Sequence, residues 1–83
     1  MAQTDPQVTI YSATWCAFCH AAKAYLDKKG VQYTDKDVDS DRVIAEEAMK
    51  LSGQTGIPVL NINGEVIIGF DRPRIDAALA TVV

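Results

Sequence analysis

The chain of 83 residues holds two cysteines, and they stand three positions apart in Cys16-Ala17-Phe18-Cys19. That spacing is the strongest constraint the sequence sets on its fold. Domains typically run to ~100–150 residues, and a chain shorter than this hides only about 60% of the surface it exposes when unfolded. Such chains often lean on disulfides or metals. A bridge between Cys16 and Cys19 closes too small a loop to hold a fold together, so stability must come from an ordinary apolar core and the cysteines are free for chemistry. The composition permits that core: 48% hydrophobic and 23% charged is a globular mix, unlike that of disordered chains. No linker, repeat or low-complexity segment interrupts the chain, and one domain over residues 1–83 is expected.

The pattern around the cysteines alternates strand and helix. Gln7 to Ser12, with Val8 and Ile10, reads as a strand. Thr14 can cap a helix from about Cys16 to Lys29, in which Phe18, Cys19, Ala22, Tyr25 and Leu26 recur at helical spacing. Lys28 and Lys29 complement the helix dipole, and Gly30 is a natural stop. Val31 to Val38 is expected as a second strand, with Val31, Tyr33 and Val38 as its apolar content. Asp39, Ser40 and Asp41 offer N-caps for a helix to about Leu51 with Ile44, Ala45, Ala48 and Met49 inward, ended by Gly53. Pro58 to Ile62 and Glu65 to Gly69 flank Asn63-Gly64, the strongest short hairpin signal, because a type I′ turn needs positive φ at both central residues. Asp71 can cap a last helix with Pro73 in its first turn and Ile75, Ala78, Leu79 and Val82 inward. The order is β-α-β-α-β-β-α: an α/β chain whose first two strands are parallel through a right-handed helical crossover and whose last two form an antiparallel hairpin. A four-stranded mixed sheet flanked by three helices follows.

Several classes of function are disfavoured. The net charge is −3 and no Lys/Arg cluster forms a phosphate-binding face, so no nucleic-acid partner is expected. The apolar runs fall far short of the ~20 residues that span a bilayer, so no membrane partner is expected either. Met1 to Pro6 has neither a basic region nor a following apolar stretch, so no signal peptide is expected and a cytoplasmic, reducing location is.

A Cys-x-x-Cys that follows a strand and opens a helix has a physical meaning. The first helical turn has unpaired N–H groups and the positive end of the dipole, and both stabilise a thiolate, which is the nucleophilic form. Cys16 is expected as the exposed, attacking sulfur. Cys19, one turn further on the inward face with Ala22 and Leu26, is placed to attack a mixed disulfide at Cys16 and release the product. The competing reading is zinc, but a structural zinc needs four ligands and the motif gives two. His20 adjoins Cys19 and reads as a solvated or packing residue, and no fourth ligand is evident, so no metal is assigned. Pro58 after Ile57 can simply start a strand, with a trans bond on frequency alone. Gly69-Phe70-Asp71 reads either as strand exit and helix cap or as a ligand edge with free N–H groups and a carboxylate.

Together these residues resemble the glutaredoxin-like proteins of the thioredoxin fold, from Val8 to Leu79. Three motifs carry the resemblance: Cys16-Ala17-Phe18-Cys19 at the first helix, Gly56-Ile57-Pro58 before the third strand, and Gly69-Phe70-Asp71 after the fourth. It implies a cis Pro58 facing the cysteine pair, and a groove lined by Phe18, Ile57 and Pro58 where the Ile57 backbone pairs with a bound thiol peptide. It implies that Asp71 holds the amino group of glutathione and Gln54 its glycine carboxylate, with Gly69 and Phe70 alongside. The chain departs from the family pattern at Ala17 and Phe18 where Pro-Tyr is usual, and at Ala13 where many members carry a lysine. Gly56-Ile57-Pro58 replaces Thr-Val-Pro, and Ile68-Gly69-Phe70-Asp71-Arg72 replaces Gly-Gly-x-Asp-Asp. The missing lysine and the Gly-Phe pair are similar to the redoxins that donate electrons to ribonucleotide reductase and are recharged by thioredoxin reductase. Trp15 before the first cysteine is similar to thioredoxin.

The resemblance implies a small monomeric dithiol reductase acting on protein or glutathione mixed disulfides. Cys16 attacks, Cys19 resolves, and Trp15, Phe18, Gln54, Ile57, Pro58, Gly69, Phe70 and Asp71 bind the substrate. No cofactor is expected to stay bound, and glutathione or thioredoxin reductase is the expected source of electrons. By analogy the potential lies between thioredoxin at about −270 mV and glutaredoxins at about −200 to −230 mV. The alternatives are the ribonucleotide reductase donor and an iron–sulfur carrier in which Cys16 of two chains and two glutathiones hold a cluster.

Overall fold

In the computed structural model, which describes residues 7–80, the elements follow the expected order. They are β1 (Val8–Ser12), α1 (Ala17–Lys28), β2 (Thr34–Asp37), α2 (Arg42–Ser52), β3 (Val59–Ile62), β4 (Glu65–Ile68) and α3 (Arg72–Ala80). The sheet order is β2-β1-β3-β4. β1 pairs with β2 in parallel and with β3 antiparallel, and β4 closes the far edge antiparallel to β3. The four-stranded mixed sheet with three helices is the one read from the sequence.

The alternation of side chains along the strands divides the apolar residues between the two sheet faces. Val8, Ile10, Leu60, Ile62 and Ile67 point to one face, where Ala22 and Leu26 of α1 and Ile75, Ala78 and Leu79 of α3 cover them. Tyr11 and Val59 point to the other, covered by Ala48 of α2 with Ile44 and Val38 at its margin. Register explains the division: Ile10 is opposite Leu60, and Tyr11 is opposite Val59. Val82, expected on the inner stripe of the last helix, lies outside the described residues.

The helix stops and the hairpin follow local chemistry. Gly53 adopts φ 72° and its N–H donates to the Met49 carbonyl at 2.8 Å, ending α2. Asp41 caps its start, its carboxylate accepting from Val43 N–H at 2.9 Å. Asn63 and Gly64 both have positive φ, 52° and 94°, as a type I′ turn demands.

One strand boundary, one helix cap and one burial differ from the sequence reading. The second strand is Thr34–Asp37 and not Val31 to Val38. Val31 N–H still donates to the Leu26 carbonyl at 3.0 Å, so it belongs to the helix stop, and with Tyr33 it packs against the core before the ladder begins. Cys16, not Thr14, caps α1. Met49, expected inward, is 41% exposed, because it stands at the rim of a shallow cleft with Val38, Ala45 and Ile57.

Candidate active site

The turn from β1 into α1 brings Cys16 to the helix start. Cys16 N–H donates to the Ala13 carbonyl at 3.1 Å, and the residue leaves helical space at φ −91°, ψ 109°. Its sulfur accepts the Cys19 backbone N–H at 3.2 Å, so the side chain itself is the cap. No acidic residue occupies the first turn of α1 to oppose a negative charge there. A sulfur that receives a helix N–H at the positive end of the dipole is stabilised as thiolate once reduced. Cys16 and Cys19 are bonded as a disulfide, with their Cα atoms 5.2 Å apart.

The two sulfurs differ in access. Cys19 is fully buried and Cys16 is 7% exposed. Cys16 is thus more enclosed than the sequence reading expected, because Ala13, Val38 and Ile57 pack around the pair. The order of access is nevertheless the expected one. The neighbours are far more open: Trp15 is 70% exposed and Phe18 68%. A recessed sulfur with exposed aromatic residues beside it in the chain is the main surface feature of the site.

Of the other residues expected to bind substrate, some meet here and others have partners elsewhere. Ile57 packs against the cysteine cluster. The Ile57–Pro58 bond is cis, as the resemblance implied and contrary to frequency alone, and Pro58 is buried. Gly69, at φ 84°, donates its N–H to the Pro58 carbonyl at 2.8 Å and so joins the ends of β3 and β4. Phe70 packs edge-on against Tyr25 of α1, with ring centroids 5.8 Å apart. Asp71 caps α3, its carboxylate accepting from Arg74 N–H at 3.3 Å. The Gln54 side chain is closed on its own loop. Its Nε2 donates to Ser52 Oγ at 3.1 Å and to the Gly56 carbonyl at 2.9 Å, and its Oε1 accepts Gly56 N–H at 2.6 Å. A Cβ on Gly56 would stand 2.7 Å from that Oε1, so a larger residue there would displace the end of the Gln54 side chain.

Sequence reasoning missed two contributors. Val38 lies at the cysteine cluster, although its N–H donates to the Ser12 carbonyl at 2.9 Å just past the strand. Asp39, read as a possible helix cap, accepts the Trp15 indole N–H at 2.6 Å. Nothing in the local sequence signals that pairing. His20, exposed, has its Nε2 2.7 Å from the Thr14 carbonyl. A carbonyl only accepts, so Nε2 carries the proton and donates, fixing the turn before Cys16. Beneath the turn, Ser12 Oγ donates to Asp35 at 2.6 Å and Lys23 bridges the other carboxylate oxygen at 2.8 Å. Burial alone would raise the Asp35 pKa, but these bonds hold it below the ordinary carboxylate value. Among the described residues no group of three or more His, Cys, Asp or Glu is arranged to hold a metal.

A family model described as Glutaredoxin matches residues 8–67, well over half the chain. The chain belongs to the glutaredoxin family. Among its curated relatives, an uncharacterised glutaredoxin-like 8.6 kDa protein in the rubredoxin operon of Clostridium pasteurianum is 41% identical over 69 residues, covering 83% of this chain and 92% of that one. Glutaredoxin 3 of Escherichia coli K12 is 39% identical over 64 residues, covering 77% of each. Among solved structures, the glutaredoxin-like NrdH-redoxin of Escherichia coli superposes with a TM-score of 0.76 at 28% identity, covering 86% of this chain and 92% of that one. The glutaredoxin of Archaeoglobus fulgidus reaches 0.83 at 18% identity, covering 89% and 86%, and shares the thioredoxin-like fold. A glutaredoxin with a bonded Cys16–Cys19 pair at a helix N-terminus is a thiol–disulfide oxidoreductase.

Proposed function

We propose that this glutaredoxin is a dithiol reductase of protein disulfides. The observation that carries the reading is the asymmetry within the pair: Cys16 is the helix cap and keeps 7% of its surface exposed, and its bonded partner Cys19 is fully buried. The Cys16 thiolate attacks one sulfur of the target disulfide, forming a mixed disulfide and expelling the other target sulfur as a thiolate. The Cys19 thiolate then attacks Cys16 Sγ, forming the internal disulfide and releasing the second target thiolate. Two electrons pass to the target and the released sulfurs take up protons from solvent. Trp15, Phe18 and Ile57 receive the polypeptide around the target disulfide, with buried Pro58 fixing the backbone at Ile57, and Gly69, Phe70 and Asp71 bind its polar end. No cofactor stays bound. The chain acts in the cytoplasm as a monomeric single domain without nucleic-acid or membrane partners.

The internal disulfide must be reduced again by glutathione or by a flavoprotein reductase. Thioredoxin reductase is favoured over glutathione. Ala13 offers no cation, and Gln54 already has both ends of its amide bonded within its loop. The similarity to NrdH-redoxin, described as having a thioredoxin-like activity profile, supports the same choice. The test is an NADPH-coupled disulfide-reduction assay run once with glutathione and glutathione reductase, and once with thioredoxin reductase. Turnover is expected in the second; turnover only in the first reverses the choice, and turnover in neither removes the reading. Isolation as a brown protein would favour the iron–sulfur carrier instead, and a colourless protein with two titratable thiols counts against it.

A further inference from the structure

Trp15 combines exposure with a fixed orientation. Its ring is 70% exposed, yet its indole N–H is held by Asp39 Oδ2 at 2.6 Å. Asp39 is itself fixed, because its backbone N–H donates to Asp37 Oδ1 at 2.8 Å in the turn that links β2 to α2. Ser40 braces the same turn, with its N–H and its hydroxyl both donating to the Asp37 carbonyl. Val38, immediately before Asp39, packs against the cysteine cluster. The segment that orients Trp15 is therefore continuous with the wall of the reactive site. An exposed aromatic ring gains little for the folded chain by being immobilised. For binding, a ring held in one orientation loses less freedom when a partner covers it, and tryptophan is prominent among residues that carry binding energy at protein interfaces.

We propose that Asp39 is a positioning residue for protein substrates: it holds the Trp15 ring as a stationary apolar face beside Cys16, on which the polypeptide around a target disulfide rests. The proposal rests on the dithiol reading above and adds the size of the substrate to it. Cys16 is recessed while Trp15 and Phe18 stand clear of the surface, so a polypeptide that reaches the sulfur also covers the rings. A small disulfide needs only the sulfur. Asp39 therefore acts through Trp15 and discriminates between the two kinds of substrate.

Trp15 is the single tryptophan, so its emission reports on this site alone. The experiment mixes the pre-reduced protein with either insulin or cystine and follows formation of the Cys16–Cys19 disulfide by Trp15 emission, with released thiols titrated in parallel. Wild type, Asp39→Ala, Asp39→Asn and Trp15→Phe are compared, with thiol titration alone used for the last. Asp39→Ala is expected to lower the ratio of the insulin to the cystine rate constant roughly three- to tenfold, the scale of one lost hydrogen bond. Its Trp15 emission anisotropy falls at the same time. Asp39→Asn keeps a carbonyl acceptor and is expected to restore both. In a Trp15→Phe background, which keeps a ring but has no N–H, a further Asp39→Ala change should alter the ratio by less than about twofold. Equal losses with both substrates, an Asn variant that behaves like Ala, or full additivity with Trp15→Phe would each overturn the role. Reduction of neither substrate by wild type would overturn the dithiol reading as well, which distinguishes the two failures.

Discussion

Cys16 performs two tasks with one sulfur: it caps α1 in place of the usual hydroxyl or carboxylate, and it is the member of the pair that solvent reaches. These tasks are linked, since the N–H that satisfies the helix end also stabilises negative charge on the sulfur proposed as nucleophile. Removing one cysteine at a time should separate their roles. Cys19→Ser is expected to accumulate mixed disulfides with target proteins, visible as heavier bands on non-reducing gels, because the covalent intermediate forms and cannot be resolved. Cys16→Ser should form none and fall below ~1% of wild-type turnover. Equal trapping by the two variants would show that the roles are reversed. At this scale the motif itself was legible, since a Cys-x-x-Cys between strand and helix has few other uses. The partners of its neighbours were not. The Trp15–Asp39 bond joins residues 24 positions apart, and no periodicity or turn preference encodes it.

Elements were legible where a single residue's backbone preference decides the outcome. Gly30 and Gly53 stop their helices with positive φ, and Asn63-Gly64 makes the turn. Asn63→Val should test that turn. A β-branched residue in left-handed space costs about 1–2 kcal/mol, and the Asn63 Oδ1 acceptor of Gln7 N–H is lost as well. A fall in Tm of roughly 4–16 °C follows for a domain of this size; an unchanged melting curve would contradict the turn assignment. β2 was misread because its own residues, Thr34 to Asp37, are polar, and the apolar residues that suggested the strand lie outside it. Those polar residues tie the edge to the helices. Lys36 bridges Glu47 of α2 at 3.1 Å, and Glu47 also accepts the Tyr11 hydroxyl. Burial, then the bond to Glu47 and its charge, push the Tyr11 pKa from 10.0 up to about 12. A pKa raised on folding gives stability that is complete below pH 10 and is lost as pH climbs through about 12. Bonds from Tyr11 and then Lys36 hold Glu47 below its ordinary value, so its contribution is present at neutral pH and is lost as pH falls through the lowered value. Urea unfolding measured across pH should show both losses. Tyr11→Phe should reduce both losses, leaving at high pH the part carried by Tyr25 and Tyr33, whose pKa values are also raised; an alkaline loss undiminished in Tyr11→Phe would refute the assignment.

Among the described residues, the sheet separates two apolar cores, and the disulfide lies in a third, smaller cluster beside Val38. Stability therefore rests on apolar packing, as the spacing of the cysteines required. Leu26 is fully buried at the junction of α1 with the larger core. Leu26→Ala is expected to cost about 2–5 kcal/mol, a large part of the ~5–15 kcal/mol typical of a domain. Thermal unfolding of the oxidised protein measures it, and a cost under about 1 kcal/mol would mean that α1 is not anchored as described. Among the described residues the sheet also has two edge strands of opposite chemistry. Along β2, Thr34-Asp35-Lys36-Asp37 places charge at three successive positions, which discourages another chain from pairing there. β4 ends in Ile68, an aliphatic side chain left 46% exposed at the opposite margin. When the protein is concentrated or partly unfolded, ordered aggregation should grow from β4 and spare β2, and a lysine in place of Ile68 should slow it.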